Sequence, residues 1–194
     1  MPLELILASA SPRRRQLLTE AGYSIEVIPS DVPEDEPPPG TDPAIYAAEL
    51  AWRKAAAVAR RVGRGLILAA DTTCAVDHHI LNKPVDRADA ERMIRLQEGR
   101  DTEVITALCL YRADRAEWVG AVETSIVRFR PLSDLERTTY LDSGRWEGKA
   151  GAYGVQDNDP FLAVTSGSVS NVVGLPMERL ARLLDEHPSL TRPF

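Results

Sequence analysis

The chain has 194 residues, 44% of them hydrophobic and 27% charged, and a formal net charge of -6. That length suits one domain, or two lobes sharing a cleft, and the apolar fraction is ordinary for a globular protein with a core. The acidic balance, with no Lys/Arg-rich stripe, argues against nucleic acid as a partner, although a small polyanion is still bindable where a few cations are focused. No apolar stretch nears about 18 residues and the first residues, Met-Pro-Leu-Glu, form no basic leader, so a cytosolic protein without a membrane partner is expected.

In chain order, Leu3 to Ala8 reads as a short buried strand. Ser11 is placed to cap a helix with Pro12 at its first position and Gly22 as its stop. A strand over Ser24 to Ile28 leads into residues 29–41, where five of the prolines and Gly40 forbid regular structure. A loop of that length is usually functional or mobile. Asp42-Pro43 restarts a helix that runs through an alanine-rich segment to about Val62.

Leu66 to Ala70 is an apolar strand ending at Asp71, and Thr72 to Val76 continues extended. Asp77-His78-His79 is expected to turn a hairpin into Ile80-Leu81. Asp86 caps a helix over Arg87 to Glu98, closed by Gly99. Val104 to Tyr111 and Trp118 to Arg130 form a strand pair around a polar turn at 113–116. Ser133 and Glu136 match a capping box for a helix to about Leu141. Residues 143–160 are glycine-rich and irregular, Phe161 to Thr165 is a strand, and Pro176 opens a helix to about Glu186. This alternation predicts an α/β fold, with a mixed sheet covered by helices.

Five constellations carry chemistry. In Ala8-Ser9-Ala10-Ser11-Pro12-Arg13-Arg14-Arg15, a strand feeds small residues into a helix N-terminus, whose free N–H groups suit an anion. Arginines at that end oppose the helix dipole, which a bound anion or acids elsewhere would explain. Asp71 ends an apolar strand, where a carboxylate serves as a metal ligand, a general base or a turn cap. Lys83, fixed ahead of Pro84, is either a phosphate-binding point charge or a solvated surface cation, and Lys54 poses the same choice.

Gly148 to Gln156 holds three glycines, a lysine and a terminal glutamine. It reads as a loop closing over a polar ligand, with Gln156 able to read a base edge, or as a plain turn. Ser168 to Asn171 reads as loop chemistry. His78, His79 and His187 lack paired spacing for zinc, and no Walker loop or Gly-x-Ser-x-Gly occurs. Cys74 and Cys109 lie in apolar runs and read as buried strand cysteines.

Taken together and in order, these segments resemble the Maf family. They are Leu7 to Leu18, Ala70-Asp71-Thr72, Ile80 to Pro84, Gly148 to Gln156 and Ser170 to Pro176. The resemblance implies a mixed twisted sheet flanked by helices, with two lobes around a central cleft, in a single domain over 1–194 that is frequently dimeric. It implies hydrolysis of a nucleoside triphosphate to the monophosphate and pyrophosphate with a divalent metal, Mg or Mn. Carried over by position, Asp71 is the proton acceptor, and Ser9, Arg13, Lys54 and Lys83 lie along the phosphates. Glu34 joins Asp71 in holding metal or water.

The family divides by substrate, and Arg13, Thr72 and Gln156 resemble the branch acting on dTTP and UTP. The chain departs from the family pattern at Pro33, Asn82, Thr102 and residues 157–160. The rival readings are a 7-methyl-GTP or purine housecleaning hydrolase, and a nucleotide-binding regulator of cell division without turnover.

Overall fold

The computed structural model describes residues 4–155 and 161–191. In chain order the elements are β1 (Glu4–Leu7), α1 (Pro12–Glu20), β2 (Ser24–Val27), α2 (Pro43–Val62), β3 (Leu66–Val76), β4 (His79–Leu81) and α3 (Arg87–Gln97). They continue with β5 (Asp101–Arg112), β6 (Glu117–Phe129), α4 (Asp134–Asp142), a 3-10 turn (Ala150–Ala152), β7 (Leu162–Ser166), α5 (Val169–Val173), α6 (Met177–Glu186) and α7 (Pro188–Thr191).

The helix starts follow local chemistry. Ser11, Asp42, Asp86 and Ser133 each accept a backbone N–H of the first turn with the side chain, and Ser133 with Glu136 completes a capping box. Where the structure departs from the sequence expectations, a physical reason is visible. His79 belongs to β4 rather than to the turn, because Asp77 and His78 take the two positive-φ positions. Strand β5 begins at Asp101, three residues early, since pairing with Arg128 and Val127 of β6 extends the ladder past its apolar part. Ser168 is not simple loop but the cap of α5, whose five residues are too few to show a helical period.

The seven strands form one mixed sheet ordered β2-β1-β3-β5-β6-β7, with β4 paired to β3. Strand β1 runs parallel to both β2 and β3, and the other pairs are antiparallel. The β1–α1–β2 and β2–α2–β3 crossovers run in opposite directions across the sheet, so α1 and α2 cover opposite faces. Side-chain alternation agrees. Leu5, Leu7, Leu66 and Leu68 pack with Leu18 of α1 and Leu180 and Leu183 of α6. Ile6, Ile67 and Ala69 pack with Ala51, Ala55 and Val58 of α2. A third cluster joins Val76 and Val104 to Met93 and Ile94 of α3, Tyr140 of α4, and Phe129 of β6. No helix among the described residues is long and apolar enough to cross a membrane.

Candidate active site

The crevice between β1 and β3, beyond the carboxyl end of β1 and with α1 and α2 on opposite faces, is the kind of place where open parallel sheets bind ligands. A cleft of about 660 Å³ opens there, bounded by the β1–α1 loop, the 29–36 segment, β3, Lys83 and the 148–155 loop. That volume suits a nucleotide-sized molecule. Among the described residues five cationic side chains line it against four carboxylates, on a chain whose overall charge is -6. The described lining therefore carries a slight net positive charge on an acidic chain.

Asp71 lies on the α2 side of β3, in step with Ile67 and Ala69, and is 6% exposed. Lys54 shares the inward stripe of α2 with Ala47, Ala51 and Ala55 and is equally buried, which excludes the surface-cation reading. Its ammonium lies 2.6 Å from Asp71 Oδ1 and 2.6 Å from Glu34 Oε1. Lys83 Nζ reaches the other oxygen, Glu34 Oε2, at 2.8 Å. Asp71, Lys54, Glu34 and Lys83 thus form a row of alternating charge running from the interior to the mouth of the cleft. Partial burial of Glu34 opposes its ionisation, but hydrogen bonds from Lys54 and Lys83 outweigh it and hold the pKa at about 2. Glu34 also ties the proline-rich segment to α2 and to the loop after β4 through contacts 20 and 49 residues away in sequence.

Ser9 and Ser11 shape the β1–α1 loop. Ser11 Oγ accepts from Arg14 N at the start of α1, and Ser9 Oγ accepts from Ser11 N at 3.2 Å and from Arg14 Nη1 at 3.1 Å. Ser9 is 8% exposed and faces the cleft. Arg13 also lines the cleft, but the arginine that ties the site together is its neighbour. Arg14 donates from Nε to Gly174 O at 2.8 Å and from Nη2 to Thr72 Oγ1 at 3.1 Å, besides Ser9. Burial lowers its pKa, while the charges of Asp71 and Glu34 act in the opposite sense. The sequence marks the run Arg13-Arg14-Arg15, and the family resemblance points to Arg13 within it. The signal for Arg14 was its spacing, since it lies four residues before the fully buried Leu18 and so shares its helix face.

The glycine-rich loop is anchored from below. Gln97 Nε2 donates to Gly151 O at 2.6 Å, Gly151 N donates to Asn82 O beside Lys83, and Tyr140 OH donates to Ala152 O. Gly151 has φ 69°, and a Cβ there would come within 3.3 Å of both Gln97 and Cys74. Gln156 lies outside the described residues. Cys74 and Cys109 are free, buried thiols whose pKa burial pushes up to about 12. Among the described residues no three His, Cys, Asp or Glu side chains cluster as a metal site, and the carboxylates near the cleft floor are Asp71 and Glu34.

Comparison with known proteins adds a family. A profile described as Maf-like protein matches residues 4–187. A protein of Rhodopirellula baltica named dTTP/UTP pyrophosphatase is 47% identical over 186 residues, covering 95% of this chain and 82% of that protein. One of the same name from Cereibacter sphaeroides is 46% identical, covering 94% of each chain. Among solved structures, a nucleoside-triphosphatase / dITP/XTP pyrophosphatase from Mycobacterium abscessus aligns over 98% of this chain and all of its own, with 16% identity and a TM-score of 0.47.

Proposed function

The chain belongs to the Maf-like protein family, and from that premise we propose that it hydrolyses dTTP and UTP to the nucleoside monophosphate and pyrophosphate. The observation that carries this reading is the Asp71–Lys54–Glu34–Lys83 row, set beside a helix N-terminus in a cleft that is cationic on an acidic protein. A buried carboxylate adjacent to a phosphate cradle is what a hydrolase needs and a simple anion binder does not. The relatives named dTTP/UTP pyrophosphatase supply the substrate class.

In this reading the triphosphate lies against the β1–α1 loop, its charge matched by Arg13, Lys54 and Lys83. Asp71 accepts a proton from a water whose oxygen bonds to phosphorus as the bond to the pyrophosphate oxygen breaks. Lys54 holds Asp71 in place, and Lys83 meets the charge growing on the leaving pyrophosphate. Thr72 and Gln156 read the pyrimidine. A site that hydrogen-bonds a base edge rejects bases that leave its polar groups unpaired.

Asp71 and Glu34 both bond the Lys54 ammonium, which brings the two carboxylates side by side at the cleft. Two carboxylates are the donors that Mg or Mn takes alongside substrate phosphates, so the residues fit such an ion. Held by these carboxylates, it would neutralise phosphate charge and polarise the reacting phosphoryl group. We assign the chain one domain of two lobes, in the cytoplasm. The test is a panel of nucleoside triphosphates with Mg or Mn, with products separated. Monophosphate and pyrophosphate from dTTP and UTP support the proposal, whereas diphosphate and orthophosphate, or turnover of purine substrates alone, defeat it.

A further inference from the structure

Two hydroxyls of the cleft, Ser9 and Thr72, hydrogen-bond the same guanidinium. A guanidinium only donates and a carbonyl only accepts, so their neighbours fix which way each hydroxyl proton points. Ser9 Oγ accepts from Ser11 N and from Arg14 Nη1, which uses both of its lone pairs. What is left to Ser9 is its O–H, in a residue that lines the cleft.

Thr72 has the opposite balance. Its Oγ1 accepts from Arg14 Nη2 at 3.1 Å and lies 2.9 Å from Thr106 Oγ1. Thr106 in turn lies 3.1 Å from Asn171 O, a group that can only accept. The proton of Thr106 therefore goes to Asn171 O, and the proton of Thr72 goes to Thr106. The reverse arrangement would send the Thr72 proton to Gly174 O at 3.5 Å, the edge of hydrogen-bonding range, and leave Asn171 O without it. In the favoured order, Arg14 to Thr72 to Thr106 to Asn171, the Thr72 proton is spent inside the protein. One lone pair of Thr72 remains for the cleft.

We propose that Arg14 is a positioning residue that gives the two cleft hydroxyls opposite polarity, leaving Ser9 a donor for a phosphate oxygen and Thr72 an acceptor for the imide N–H of thymine or uracil. The inference rests on the pyrophosphatase reading above and deepens it. Uracil and thymine carry a proton at ring position 3, and cytosine carries a lone pair there. Thr106, which touches no substrate, shares the control of base choice because it takes the Thr72 proton.

The experiment measures kcat/KM for UTP and CTP in the wild type, Thr106→Val and Arg14→Lys, with thermal unfolding followed in parallel. Thr106→Val keeps the shape of the side chain and removes the acceptor, which frees the Thr72 proton to face the base. The UTP to CTP ratio is expected to fall about tenfold, the worth of one hydrogen bond. Arg14→Lys is expected to lower the same ratio and to raise KM for both nucleotides, since Ser9 loses its alignment. A purely structural role would lower kcat for both nucleotides alike and leave the ratio where it was. Wild-type preference for UTP with unchanged ratios in both folded variants overturns the inference and leaves the pyrophosphatase reading standing. Absence of UTP turnover in the wild type removes that reading, and this inference with it.

Discussion

The ammonium of Lys54 sits between two carboxylates, 2.6 Å from Asp71 and 2.6 Å from Glu34, and both Lys54 and Asp71 are almost wholly buried. Breaking a buried pair by removing one partner leaves an uncompensated charge. Lys54→Met is therefore expected to lose about 3 kcal/mol of stability. Because Asp71→Asn removes the charge that Lys54 leaves behind, the double variant should be more stable than the two single losses added together. Urea unfolding of the four proteins checks this, and strict additivity would mean that the pair is not coupled.

Glu34 links pH to stability. Its folded pKa of about 2 lies below the ordinary value of 4.5, so it binds its proton more weakly folded than unfolded. Its contribution is fully present above about pH 4.5 and is lost as pH falls toward 2. The side chain is 38% exposed, so screening reduces the effect. The melting temperature of the wild type should exceed that of Glu34→Gln by about 2–4 °C at pH 6 to 7, with the gap closing between pH 4.5 and 2. A gap that widened in acid would contradict the ion-pair assignment.

Several features of this site were legible along the chain. Asp71 stood at the end of an apolar run, and Ser11-Pro12 announced the helix beside it. Lys54 was ambiguous because its partners lie 17 and 20 residues away, and only the packing of α2 on β3 brings them together. The role of Glu34 is likewise written in two long-range contacts, which no local pattern records. Arg14 was hidden among three arginines in a row, where helical phase alone puts it on the face of the buried Leu18. Helix α5 was invisible to periodicity, being set by Ser168 at one end and Gly174 at the other.

The two thiols should be inert in the folded protein. Burial pushes both Cys74 and Cys109 to about 12, far above the pH at which thiolates form ordinarily. A thiol reagent at pH 8 is expected to label neither in the native state and both in urea. Fast labelling of the native protein would show that β3 or β5 opens locally.

Gly167 holds the turn between β7 and α5 at φ 85°, where an added Cβ would lie 2.7 Å from Ser125 Cα. Ser125 is itself buried and hydrogen-bonds Ser168 and Asn171. Gly167→Ala combines a left-handed backbone with a backbone clash, so it is expected to cost about 2–4 kcal/mol. Chemical denaturation measures it, and a loss below about 0.5 kcal/mol, the range of ordinary surface changes, would contradict this packing.

In the proposed mechanism Asp71 takes the proton of the attacking water at the cleft floor. The measurement that tests it most directly is pyrophosphate release from UTP and dTTP, with Mg or Mn present, by the wild type and by Asp71→Asn, each checked for folding. Turnover is expected in the wild type, with a loss of about 100-fold or more in kcat in the folded variant. Full turnover by folded Asp71→Asn would contradict it.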